Sequence, residues 1–326
     1  MENNPLVSII SPCYNGEKYL VSFLESVLVQ DYAPIELVFI NDGSTDKTEQ
    51  IVLSYKDKLS KKSIDLRYYW QKNAGQAAAI NFGLKKFSGE YMMWMDSDDI
   101  LYPEHVSKKV KFLEEHPECG FVLVQGESVL FDSLDIRRTI LKRDPPKGED
   151  TLFEDLIYER NVVYCPATIM LRRNALETAI PDKDIHESRQ GQNWQLMLPL
   201  AYTNKCGYIE EVLFKYVVHS DSHSNQRRGY AEWIARYDGF EELQIATINR
   251  IKQMSEAEKG EWRREIHQRY TRKRLDYCYR FFKLSQAREN RRLLKETGYK
   301  MTMSDSFVYY WYKTVFKAMK RKLLRR

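Results

Sequence analysis

Nowhere in this chain do two cysteines stand in C-x-x-C spacing. The five cysteines, Cys13, Cys119, Cys165, Cys206 and Cys278, are odd in number and widely separated. That excludes a disulfide framework and a structural zinc site as organising features and leaves scattered reduced thiols. No apolar run approaches the roughly 18 residues that cross a bilayer, so no transmembrane helix is expected. The opening "MENNPLVSII" has neither a basic leading region nor a cleavable apolar one, so no secretion signal is expected. The loop G-x-G-x-x-G is missing after the first apolar stretch, where "SPCYNGEK" offers a single glycine, and G-x-x-x-x-G-K-[ST] is absent altogether. A phosphate would therefore not be cradled by a glycine-rich loop. Internal repeats, low-complexity segments and recognised nucleic-acid modules are also missing, so no nucleic-acid partner is expected.

What is present divides into two parts. A domain takes roughly 100–200 residues, so 326 residues suggest one large domain with an appendage, or two domains. Hydrophobic residues at 43% supply a core, and charged residues at 30% a wetted surface. The net charge of +5 conceals a split: Asp221–Arg326 holds 26 Lys+Arg against 13 Asp+Glu, net +13, and the preceding residues hold 25 against 33, net −8. The boundary is placed near 222, giving a domain over 1–222 and a basic helical one over 223–326.

The first 130 residues alternate between two periodicities. Continuous apolar stretches at 6–11, 36–42, 64–70, 90–96 and 120–130 predict strands. Helices are predicted over 17–30, 46–59 and 75–87, and from Pro103 to about Glu115. This order implies an α/β fold, a mostly parallel sheet between helices. Residues 131–165 read as less regular. A further strand is expected at 166–173, a helix at 191–202, strand at 206–219, and long helices after Asp221.

In such sheets ligands bind beyond the carboxyl ends of the strands. The ends here read "SPCYNG", "NDGSTD" and "DSDD". In "YMMWMDSDDIL" an apolar run stops on Asp96, Asp98 and Asp99. Three carboxylates so close repel, and each is costly to desolvate, so the cluster is either solvated or held by a cation. Hard cations such as Mn2+ and Mg2+ bridge carboxylates to phosphates. Asp99 also suits the N-cap of the helix near Pro103, Asp42 suits a turn, and Trp94 suits the core.

These pieces resemble, in order, the inverting family 2 glycosyltransferases of GT-A fold: "VSIISPCYNGEKYLVSFLESVLVQ", "IELVFINDGSTDKTEQIV" and "NAGQAAAINFGLKKFSGEYMMWMDSDD". The likeness is strong over about 5–130 and weaker to about 220. It implies transfer of a hexose from a UDP-sugar to a saccharide, glycopeptide or lipid-linked glycan acceptor, in surface polysaccharide or protein glycosylation. It implies that Asp42 binds uracil, with Pro12, Tyr14 and Asn15 on the nucleotide side. Asn73, Gln76 and Ser97 join the donor pocket, and Asp96 faces the ribose or donor sugar. Asp98 and Asp99, with His219, would hold Mn2+ or Mg2+. His223 lies in the same histidine loop.

One departure stands out. The family's general base is an acid at the start of a helix bearing Trp and Leu, and here "GQNWQLML" puts Gln192 and Asn193 there. The nearest carboxylates and imidazole are Asp184, His186 and Glu187, and Glu187 is the chosen base, with Asn193 and Asp96 beside it. The alternative is a non-catalytic UDP-sugar-binding partner subunit. A cytoplasmic location is expected. The basic, aromatic end of the chain suits either an anionic inner membrane surface or a homo-oligomer contact.

Overall fold

The computed structural model describes residues 4–146, 148, 150–190, 193–219, 229–302, 310, 311, 314 and 315. The chain divides into two compact units, residues 1–225 with 251–253 and residues 226–250 with 254–326.

The first unit opens with β1 (Val7–Cys13), α1 (Leu20–Leu28) and β2 (Ile35–Asn41). Every residue of β1 and β2 is buried, which is why both read as mainly apolar stretches rather than strict alternations. The helix expected over 46–59 is two, α2 (Thr48–Ser54) and α3 (Lys56–Ser60). The break falls at Tyr55, whose N–H bonds the Val52 carbonyl in a tightened turn and whose buried ring sends its hydroxyl to Glu25 Oε1 at 2.7 Å. Next come β3 (Ile64–Trp70), α4 (Gln76–Leu84), β4 (Tyr91–Trp94), β5 (Ile100–Leu101) and α5 (His105–Glu115).

The remainder is β6 (Cys119–Leu130), β7 (Ser133–Leu141), α6 (Leu152–Tyr158), β8 (Ile169–Arg172), α7 (Arg173–Ala179), α8 (Asn193–Thr203) and β9 (Lys205–Val218). Two of these, β7 and α6, fall in the stretch read as less regular. β7 hydrogen-bonds to β6 and to no other described strand, and most of it is exposed. A strand with no buried face carries no apolar signature.

The sheet order is β3-β2-β1-β4-β8-β6-β9-β5, with β7 beside β6. β3, β2, β1 and β4 are mutually parallel. β8 runs antiparallel to both β4 and β6, so β6 and its parallel neighbour β9 point the same way as β1. The carboxyl ends of β1, β2, β4, β6 and β9 therefore share one rim. The chain leaves β1 first toward β2 and β3, then crosses back to β4 on β1's other side. That reversal opens a crevice between β1 and β4.

The second unit contains α9 (Tyr230–Arg250), α10 (Glu256–Arg280) and α11 (Leu284–Glu296). Ser255 caps α10 by accepting the Glu258 N–H. Aromatic rings join α9 to α10, with Tyr277 5.1 Å from Trp233 and 5.3 Å from Tyr237 between ring centroids. Arg274 adds ion pairs to Asp238 and Glu241 at 2.8 and 2.6 Å. No helix among the described residues is long and apolar enough to cross a membrane.

Candidate active site

Two loops at the rim are laced together by polar contacts. Asn15 stands in left-handed conformation at φ 51°, a region Asn tolerates better than most residues. Its N–H bonds Ser44 Oγ at 2.9 Å, and its Oδ1 accepts the Thr45 N–H at 2.9 Å. The Gly16 N–H bonds Thr48 Oγ1, and the Glu17 N–H bonds Asp46 Oδ2, both at 2.9 Å. This joins the end of β1 to the D-G-S-T-D turn after β2. Pro12 is buried within β1, and Tyr14 projects with 55% of its surface exposed.

Asp42, just after β2, is buried and organises a third loop. Its carboxylate accepts from Gln71 Nε2 at 2.7 Å, the Ala74 N–H at 3.0 Å and the Gly75 N–H at 2.9 Å. Its carbonyl accepts from Asn73 Nδ2 at 3.0 Å. Two glycines make the loop possible. Gly43 has φ +75°, and a Cβ there would meet Asn73 N at 2.7 Å. Gly75, at φ +94°, turns the chain into α4. The turn reading of Asp42 therefore describes real contacts, made on both carboxylate oxygens.

The aspartates at the end of β4 come together, with an oxygen from each of Asp96, Asp98 and Asp99 within 4.8 Å of the others. Their environments differ. Asp96 accepts from Gln76 Nε2 at the start of α4. Desolvation first, and the Asp98 charge second, push its carboxyl up to about 7. Asp99 has no exposed surface. Its oxygens accept the Val217 N–H at 3.0 Å and the Cys165 thiol at 3.4 Å, and burial with the Asp98 and Asp96 charges raises it well above the usual carboxylate range. Asp98 keeps a third of its side chain exposed and meets His219 Nε2 at 2.9 Å. Ser97 lies beside Cys13 and Gly16.

This donor set fits a hard divalent cation: oxygens whose mutual repulsion a positive charge would relieve, and one imidazole. Within this set Asp98 has the His219 imidazole beside it. Asp99 already serves the protein on both oxygens.

The segment proposed to hold the base is fixed from two sides. Asn81, buried in α4, accepts the Ile185 N–H at 2.7 Å, donates to the Ile185 carbonyl at 3.0 Å and approaches Glu187 Oε1 at 3.5 Å. Gln195, buried in α8, donates to the His186 carbonyl at 3.3 Å. Glu187 is exposed, and Asp184 lies 3.6 Å from Lys85. Gln76 and Asn81 are five residues apart on one helix, roughly 7.5 Å of rise, and contact Asp96 and Glu187 respectively. Asn193 opens α8 and donates to the Tyr164 carbonyl at 3.3 Å, while its Oδ1 is buried without a partner among the described residues. Tyr164 is chain neighbour to Cys165, so the start of α8 is tied to the aspartates. Gln192 and His223 lie outside the described residues.

Sequence reading missed Asn81, Cys165, Gln195 and Tyr19, whose ring stacks on His219 at 4.2 Å. Asn81 and Gln195 were signalled weakly, as polar residues on the buried side of apolar helices.

The pattern described as Glycosyl transferase family 2 matches residues 8–179, more than half of the sequence. The chain belongs to glycosyl transferase family 2. A relative from Bacillus subtilis that carries the name "Putative glycosyltransferase EpsE" is 30% identical over 233 residues, covering 71% of this chain and 78% of its own. An uncharacterised glycosyltransferase of Rickettsia typhi is 39% identical over 131 residues, covering 38% of this chain and 39% of its own, so the match spans about two-fifths of that relative. Among solved structures, TarS 1–349 of S. aureus in complex with UDP-GlcNAc matches at TM-score 0.60 and 20% identity, over 96% of this chain and 91% of that one. The mannosyltransferase PcManGT of Pyrobaculum calidifontis, in complex with GDP-Man and Mn2+, matches at 0.53 and 15%, over 96% and 81%. Those two likenesses bear on the fold alone. It is the GT-A-like α/β fold expected of a family 2 member, with a helical C-terminal region.

Proposed function

We propose that this chain transfers a hexose from a UDP-sugar to a saccharide acceptor with inversion at the anomeric carbon. The observation that carries the reading is the position of Asp96 and Asp98: at the β1–β4 switch point, beside the Asp42 loop, on a family 2 framework. Support for a nucleotide sugar comes from the TarS and PcManGT complexes, which hold UDP-GlcNAc and GDP-Man respectively.

In this reading Tyr14 and the Asp42 loop receive the nucleoside, and Asp96, held by Gln76, orients the ribose or donor sugar. Asp98 and His219 hold Mn2+ or Mg2+. When bound, that cation supplies charge neutralisation and Lewis acidity at the leaving diphosphate. Asn193 Oδ1, without a donor among the described residues, accepts a hydrogen bond from the acceptor hydroxyl. The acceptor oxygen bonds to the anomeric carbon as the bond from that carbon to the β-phosphate oxygen breaks. The electron pair leaves with UDP, and the hydroxyl proton passes to Glu187. The acceptor is a surface polysaccharide or a protein-linked glycan.

The test is consumption of UDP-hexoses by the purified chain, with UDP release followed and product configuration read by NMR. Inversion is expected. Retained configuration would overturn the mechanism. The rival, a UDP-sugar-binding subunit without turnover, draws on the amide at Asn193 and predicts binding without UDP release from any donor.

A further inference from the structure

The end of β9 is stitched to its surroundings residue by residue. The Val217 N–H is taken by Asp99, and the Val218 carbonyl by the Phe131 N–H at 3.1 Å. His219 follows, its Nε2 on Asp98. Backbone bonding fixes where this imidazole starts, but not how its ring turns.

An aromatic stack fixes the turn. The Tyr19 ring lies 4.2 Å from the His219 ring at an interplanar angle of 24°. Phe131 stands edge-on against Tyr19, with centroids 4.8 Å apart and planes at 88°. Tyr19 sits in the turn that opens α1, its N–H on the Gly16 carbonyl at 3.0 Å. Phe131 thus serves twice: its backbone holds Val218, and its ring backs Tyr19. Tilting the plane of the His219 ring away from this arrangement loses the stacked contact with Tyr19.

We propose that Tyr19, backed by Phe131, is a positioning residue that holds the His219 imidazole with Nε2 on Asp98 and so preorganises the two cation-holding side chains. This rests on the reading that Asp98 and His219 hold a divalent cation. Preorganisation acts on affinity: a ring already held in place loses less freedom when the cation arrives.

The test uses the full chain with UDP, Tyr19→Leu and Tyr19→Phe, and Mn2+ binding followed by electron paramagnetic resonance. Loss of one ring contact supports a weakening of Mn2+ binding by about threefold to tenfold in Tyr19→Leu. Tyr19→Phe, which keeps the stack, should restore wild-type affinity, and Phe131→Leu should weaken binding in the same direction. The His219 ring-proton signals should also move in Tyr19→Leu without Mn2+, as the ring current over them is lost. A purely structural Tyr19 would lower the melting temperature and leave the Mn2+ affinity of the folded protein unchanged. Wild-type Mn2+ affinity in Tyr19→Leu would overturn this proposal alone. No Mn2+ uptake by the wild type with UDP would overturn the cation reading with it.

Discussion

Asp98 and Asp99 are neighbours in sequence with different tasks. Asp99 accepts the Val217 N–H and the Cys165 thiol with no exposed surface, whereas Asp98 keeps a third of its side chain exposed and meets His219. Asp98→Asn should therefore abolish sugar transfer while leaving the melting temperature near wild type, since it removes a repelling charge and no buried hydrogen bond. Thermal melts and UDP-release assays on one preparation check both halves. At the base, Glu187→Gln should cut turnover by roughly 10²–10⁴-fold, the usual loss for a general base, with UDP-sugar affinity nearly unchanged. Normal turnover in that variant beside an inactive His186→Ala would move the base to the imidazole. The aspartates were legible because an apolar strand that stops on acid announces a rim. Their helpers were not. Asn81 meets Ile185 across 104 positions and Cys165 meets Asp99 across 66, and no local pattern encodes pairs so distant.

The strands show the same division between what local sequence carries and what it does not. β1 and β2 were readable because burial on both faces leaves mostly apolar residues, whereas β7 sets Ile136 at 66% exposure among arginines and looks like loop. The opposite end of the sheet holds a buried carboxylate that no motif marked. Glu36 in β2 faces Ser8 in β1, and it accepts from Ser8 Oγ, Ser88 Oγ, the Gly89 N–H and Arg67 Nη1. This joins β1, β2 and β3 to the turn before β4, keeping in register the strands whose far ends form the site. Burial alone would raise this carboxyl, but the bonds from Ser8, Ser88 and Arg67 outweigh it and hold it below its usual 4.5. A carboxyl lowered on folding contributes its full stability above the unfolded value and loses it as pH falls through the folded one. Glu36→Gln should cost about 3 kcal/mol at neutral pH. It should also flatten the decline of the melting temperature below about pH 4.5. Urea titrations of both proteins at pH 7 and pH 3 check this: equal losses at the two pH values would show that Glu36 is not ionised in the fold.

At the scale of the whole molecule the two units differ in charge more than in size would require. The first 220 residues carry a net −8 and the last 106 a net +13. After Asp305 no acidic residue follows, while Lys313, Lys317, Lys320, Arg321, Lys322, Arg325 and Arg326 do. Most of this tail lies outside the described residues. Tyr310 and Trp311 are described, in helical conformation, with 62% and 52% of their surfaces exposed. Adjacent exposed aromatics within a strongly basic segment suit the interface of an anionic bilayer, where rings sit at headgroup level and cations meet phosphate. Each basic residue near such a surface contributes about 1 kcal/mol, so seven suffice for reversible attachment. Pelleting with phosphatidylglycerol vesicles is the expected outcome at low salt. It should fall steeply toward 1 M salt, where the screening length shrinks to about 3 Å. Vesicles of neutral phosphatidylcholine should pellet little, and a chain ending at Ser304 should lose the attachment while keeping UDP release. Equal pelleting with and without the tail would place any attachment elsewhere, and a change of mass in solution on truncation would make the tail an assembly contact between copies instead.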